Sequence, residues 1–260
     1  MSENFSKTYI FGLPFPMADK SALHAYLSKV LSGDKAVKIF TPNAEILYKA
    51  SRSPSLSELL RSADLLLPDG IGVVAASRLL GDPLPCRITG IDTAEFILKK
   101  AEQLGLSIYL LGGKEGVAYR AALKLKSRFP RLLISGAHHG YFSSEKEKSD
   151  VIAHIMEKKP QILFICLGFP DQEKFIVESS NKIPSLRLSI GLGGSLDVWS
   201  GDKNRAPKTV QRLGLEWLYR ILSEPRRLSR LPYLLGFAAA VIGEKIKRKR
   251  KPFSMYFKKL

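Results

Sequence analysis

The sequence predicts an α/β architecture built on a mostly parallel sheet, and three observations carry that prediction. Short apolar runs alternate with stretches of helical periodicity along most of the chain. The runs are continuously apolar, as in ILFIC, which is the pattern of strands buried on both faces. Glycines, prolines and polar side chains collect just after these runs, where open α/β sheets place their ligands.

Taken in order, residues 21–31 read as an amphipathic helix and Val37–Phe40 as a short buried strand. Thr41-Pro42-Asn43 follows the strand, and a helix is expected from Ala44 to about Ala50. N-capping of that helix accounts for one of Thr41 and Asn43, and the other faces whatever the cleft holds. Residues 58–61 belong to a third helix. The run 64–68 ends in the turn Pro68-Asp69-Gly70, and Ile71, Val74, Ala75, Leu79 and Leu80 then recur at helical spacing before the stop at Gly81. Asp69 has two readings: a cap of this helix, or a catalytic base at a strand end.

A Pro-rich loop, 82–89, carries Arg87, and Asp92 reads as the N-cap of a helix over 93–104. The strand 107–111 leads to Gly112-Gly113, whose backbone N–H groups suit an anion at the mouth of the helix over 117–129. The strand 131–137 leads to His138-His139-Gly140-Tyr141-Phe142, where Tyr141 and Phe142 form either a stacking shelf or sheet packing. After the helix Glu145–Lys158 and the strand 161–167 comes Gly168-Phe169-Pro170-Asp171-Gln172-Glu173. There Glu173 suits the helix dipole and Gln172 is free to reach a ligand. The last strand, 186–191, opens into Gly193, Gly194 and Asp197. Asp197 is either a turn residue or an acceptor for a ribose or pyrimidine. These elements together describe a Rossmann-like sheet with helices on both faces.

The chain has 260 residues and a net charge of +17, unevenly spread. Residues 203–260 hold 16 Lys and Arg against 3 acids, and the remainder is close to balanced. The division is therefore an α/β catalytic domain, 1–203, and a basic helical appendage, 204–260. In the latter, Arg220, Arg227 and Arg230 sit among Leu213, Trp217, Ile221 and other apolar residues. LPYLLGFAAAVIG beside a dense Lys/Arg block describes an interfacial anchor for an anionic membrane, with nucleic-acid binding as the alternative. No secretory signal is readable at the N-terminus, and no apolar run approaches the ~18 residues of a spanning helix. Two cysteines eighty residues apart give no disulfide framework and no metal spacing, and a reducing cytosol is expected. No D-x-D pair lies near a strand end, so neither a bridging metal nor another cofactor is expected. A dinucleotide-dependent oxidoreductase would need a glycine fingerprint that is missing.

The segments TPNAE (41–45), LLLPDGIGV (65–73), RITG (87–90), LLGG (110–113), GYF (140–142), LGFPDQE (167–173), GLGGSLDVWSG (191–201) and NRAPKTVQRLGLEWLYRILSEPRR (204–227) resemble, in order, the WecG/TagA/CpsF family, glycosyltransferase family 26. The resemblance implies a bacterial, inverting enzyme that moves a sugar from a UDP-sugar to a polyprenyl-diphosphate-linked acceptor. It would act at the cytoplasmic face of the inner membrane, in cell-surface polysaccharide synthesis. It assigns the base to Asp69, with Thr41, Asn43, Arg87 and Gln172 lining the pocket, and the acceptor diphosphate to Arg220, Arg227 and Arg230. The strand-end residues Gly112, Gly113, Tyr141, Gly168, Gly193, Gly194 and Asp197 are then the expected UDP contacts. The family also implies an appendage that closes over the site, and permits homo-oligomers. Relatives use N-acetylmannosamine, its uronic acid or glucuronic acid as donor sugar.

Overall fold

A strand that feeds two cores must be apolar at every position, and the central strands are. In β5 (Ser107–Gly112), Ile108 and Leu110 pack into one core while Tyr109 and Leu111 pack into the other. In β7 (Ile162–Cys166), Ile162, Phe164 and Cys166 face the first core, and Leu163 and Ile165 the second. The computed structural model describes residues 5–250. With β3 (Val37–Phe40), β4 (Leu65–Leu66), β6 (Leu133–His138) and β8 (Leu188–Gly191), these strands form one six-stranded parallel sheet in the order β4-β3-β8-β7-β5-β6.

Helices cover both faces. On one lie α1 (Lys20–Ser32), α5 (Gly90–Leu104), α6 (Val117–Arg128) and α9 (Ser195–Trp199). On the other lie α2 (Ala44–Ser51), α3 (Pro54–Arg61), α4 (Ile71–Leu80), α7 (Glu145–Lys158) and α8 (Asp171–Lys182). After α10 (Lys208–Arg212), α11 (Glu216–Ser223) and a 3-10 turn (Pro225–Arg230), the long helix α12 (Leu231–Arg250) returns to that second face. There it buries Phe237 and Val241. Gly236 permits the close approach to α2, because a Cβ there would lie 2.4 Å from the Tyr48 ring. No helix among the described residues is long and apolar enough to cross a membrane. The last ten residues of the basic tail lie outside the described residues.

Two local expectations need correction, and one element has no counterpart in the sequence reading. The helix after the Pro-rich loop starts at Gly90, capped by Thr89, whose hydroxyl accepts from the Asp92 N–H at 3.3 Å. Asp92 is instead a first-turn acid that pairs with Arg205 at 2.7 Å. The strand before Asp69 is two residues long and lies at the sheet edge, although Leu65 and Leu66 are buried in opposite cores. Residues 7–16 form an unforeseen antiparallel hairpin, β1 (Lys7–Ile10) with β2 (Leu13–Pro16). Its turn is Phe11-Gly12, both at positive φ, as the twist-matching two-residue turn requires.

Candidate active site

The ends of β3 and β4 bring two helix starts together. Asn43 caps α2, its Oδ1 accepting from the Ile46 N–H at 3.1 Å. At the start of α4 the capping position belongs to Gly70, at φ +107°, and no side chain caps the helix. Asp69 is therefore not a cap. A Cβ on Gly72 would lie 3.3 Å from the Ala44 Cβ, so the two helix starts are in close contact.

The C-terminal helices roof this junction. On α11, Glu216 and Arg220 share one row and Trp217 and Ile221 the next, each pair one turn apart, and all four face inward. The cavity beneath them, open to solvent on one side, measures about 540 Å³ and is lined by Asn43, Glu45, Asp69, Arg87, Glu216, Arg220, Arg227 and Arg230, with apolar side chains of α4 and α12. Arg87 donates to the Glu216 carboxylate at 2.8 Å and to the Gln211 carbonyl at 3.1 Å, tying the loop after α4 to the roof. Arg205 lies 3.6 Å from the same carboxylate. Arg230 approaches Glu45 at 3.4 Å, and Arg227 pairs with Glu224 at 3.1 Å.

Burial pushes the Asp69 carboxyl up to about 6. The Arg220 charge pulls it back down, Glu216 raises it, Arg87 lowers it and Asp92 raises it. A carboxylate with this affinity for protons is poised to accept one near neutral pH, as a general base must.

The other expected site residues are differently employed. The Thr41 hydroxyl, buried, donates to the Gly191 carbonyl at 2.8 Å and joins β3 to β8. Gln172 is not free: it is buried, its Nε2 donates to Glu173 and its Oε1 accepts from the Gly193 N–H at 2.8 Å. Glu173 lies buried rather than at the surface of the helix start, and desolvation pushes its carboxyl to about 7. The Gly113 N–H is spent on the Cys166 carbonyl at 3.3 Å, while Gly112 is packed so closely on Cys166 that a Cβ would overlap its carbonyl. The Gly168 carbonyl accepts from the Gln172 N–H. Near Gly194, Asp197 lies 3.5 Å from Lys203, which also reaches Glu224. Phe142 stacks on Phe175 and so packs against the body of the protein, whereas Tyr141 is exposed. These loops share the carboxyl edge of the sheet with the cavity but do not line it. Among the described residues no group of three or more His, Cys, Asp or Glu is arranged to hold a metal ion.

The sequence matches the family model "Glycosyl transferase WecG/TagA/CpsF family" over residues 8–251. The chain belongs to this family. Among its relatives is a Bacillus spizizenii protein, 38% identical over 82% of this chain and 81% of its own length. A Bacillus subtilis protein is 35% identical over 92% and 93%, and one from Staphylococcus aureus 34% identical over 95% and 96%. All three are named N-acetylglucosaminyldiphosphoundecaprenol N-acetyl-beta-D-mannosaminyltransferase. Two carboxylates that line the cavity, Glu216 and Glu45, are not among the residues the sequence singles out. Glu216 stands inside the quoted GLEWLYR segment, one turn before Arg220, and that spacing was the available signal.

Proposed function

We propose that this protein transfers a sugar from a UDP-sugar, of the N-acetylmannosamine or corresponding uronic acid type, to a sugar on a polyprenyl diphosphate. The product serves bacterial cell-surface polysaccharide synthesis. The observation that carries the reading is a carboxylate that caps no helix, Asp69, set among arginines in a roofed cavity and raised in proton affinity by burial.

In the proposed reaction Asp69 takes the proton of the acceptor hydroxyl. The hydroxyl oxygen bonds to the anomeric carbon from one face, and the bond to the diphosphate oxygen breaks on the other, its electron pair leaving with UDP. One displacement inverts the anomeric centre. UDP departs with added negative charge, and since the Gly113 and Gly193 N–H groups are engaged within the protein, neutralisation falls to arginines. Arg87 and Arg220 flank the base and suit the nucleotide diphosphate; Arg227 and Arg230 suit the diphosphate of the acceptor. The uridine would lie along the strand-end loops, with Asp197 and Tyr141 as its polar and stacking contacts. Gln172 and Thr41 support this edge from beneath, through the hydrogen bonds to Gly193 and Gly191. This mechanism needs no metal ion, because guanidinium groups supply the positive charge.

The exposed leucines of the C-terminal helices, Leu222 and Leu235 among them, together with the basic tail suit docking to the cytoplasmic face of an anionic inner membrane. The test is a panel of UDP-sugars assayed with N-acetylglucosaminyl diphosphate carried on a short lipid. Release of UDP with formation of a disaccharide lipid is expected for one or a few donors. Hydrolysis alone, or no turnover with any donor, would reject the reading.

A further inference from the structure

The cavity is chemically two-sided. The sequence makes α4 apolar nearly all round, and the sheet takes only part of it: Val73, Val74, Ala76 and Leu80 are buried, while Ile71 and Leu79 remain about 40% exposed. Ile71, Ala75 and Leu79 face the cavity, and Leu234, Ala238 and Ile242 answer them from α12. Both helices lead away from the charged end. Helix α4 starts just after Asp69, and α12 just after Arg230. At their far ends Arg248 reaches the Asp82 carboxylate at 3.8 Å and donates to the Tyr9 carbonyl at 2.6 Å, and Asp82 directly follows the stop of α4. The two helices thus run side by side in the same direction. From Ile71 to Leu79 the carbon-lined strip extends roughly 12 Å at 1.5 Å per residue.

A strip of this kind lies in contact with Arg220, Arg227 and Arg230, so its ligand must join an anion directly to an apolar chain. A nucleotide sugar has no such part. We infer that the strip between α4 and α12 receives the first isoprene units of the acceptor, while its diphosphate stays with the three arginines. This rests on the acceptor class proposed above and adds to it the place where the lipid enters. The enzyme then reads the start of the chain as well as the sugar, and the cavity, rather than the bilayer alone, holds the acceptor in register with Asp69.

The experiment measures binding of inorganic diphosphate and of dimethylallyl, geranyl and farnesyl diphosphates, which carry one, two and three isoprene units. Each isoprene unit that enters removes apolar surface from water, and because the strip stays partly open the affinity should rise about tenfold per unit. Ala75→Trp and Ala238→Trp fill the strip from opposite walls at exposed positions, and each should bring the farnesyl-to-dimethylallyl affinity ratio close to one. Equal affinity across the series in the unsubstituted protein would overturn the inference, as would a ratio unchanged in both tryptophan variants. Transfer to the short-lipid acceptor separates the two proposals. Turnover with a flat binding series rejects the strip alone, whereas a rising series without turnover rejects the transferase reading and leaves the strip as a prenyl-diphosphate site.

Discussion

Replacing Asp69 with asparagine keeps the size of the side chain and removes its charge, which separates the catalytic cost of this carboxylate from its structural cost. In the folded protein its pKa is about 6, against 3.8 for an ordinary aspartate. A shift of two units corresponds to ~3 kcal/mol, and the opening of the cavity to water reduces this to about 1–2 kcal/mol. The sign follows from which state holds the proton more tightly. Below about pH 4 both folded and unfolded chains are protonated at this site, and nothing is gained or lost. Between about 4 and 6 the unfolded chain has released its proton while the folded chain retains it, so stability falls as pH rises. Above about 6 the whole penalty stands. Asp69→Asn should therefore melt about 3–6 °C higher than the parent at pH 8, with little difference at pH 4. Turnover should fall by about 10²–10⁴, the usual worth of a general base. The assays are thermal unfolding at the two pH values and UDP release. A variant that melts lower at pH 8, or that gains equally at both pH values, would refute the desolvation argument. Unimpaired turnover would remove Asp69 from its role.

Other expectations follow from the same geometry. The acidic limb of kcat/KM should titrate near 6, and its position should respond to the roof: Glu216→Gln moves it to lower pH and Arg220→Gln to higher pH, because these charges act on Asp69 in opposite directions. A pH–rate profile that shifts the same way in both variants would contradict this. Gly236→Ala drives a methyl into the Tyr48 ring, which should cost about 1–3 kcal/mol and raise protease sensitivity in α12, with Tyr48→Leu restoring much of the loss. Limited proteolysis and thermal melts check it. Leu222 and Leu235 are about three-quarters exposed, so their joint change to Asp should alter stability by less than ~1 kcal/mol yet weaken binding to anionic vesicles at least tenfold, as read by co-sedimentation.

Much of the scaffold was legible because it follows from local pattern. An uninterrupted run such as ILFIC, flanked by turn residues, suits a strand with a core on each side, and the helix Glu145–Lys158 has its cap, Ser144, directly before it. The hairpin was hidden for an equally local reason. Pro14 and Pro16 argue against a strand, and a left-handed Phe11 is a conformation that only the completed turn imposes. Thr89 and Asp92 stand at the two ends of one capping motif, and either residue type suits the cap, so only the folded backbone decides for Thr89.

The sequence by itself determined that a carboxylate follows a buried strand at Asp69, that arginines crowd the C-terminal helices, and that an apolar run stands beside a dense Lys/Arg block. It did not determine who meets whom. That Glu216 answers Arg87 across 129 positions, that Gln172 is spent on Gly193, and that the Arg220 charge acts on Asp69 are facts of tertiary structure. The physical reason is range: backbone preference and hydrophobic period are set within a few residues, whereas charge and desolvation act through space between segments the chain brings together only when folded.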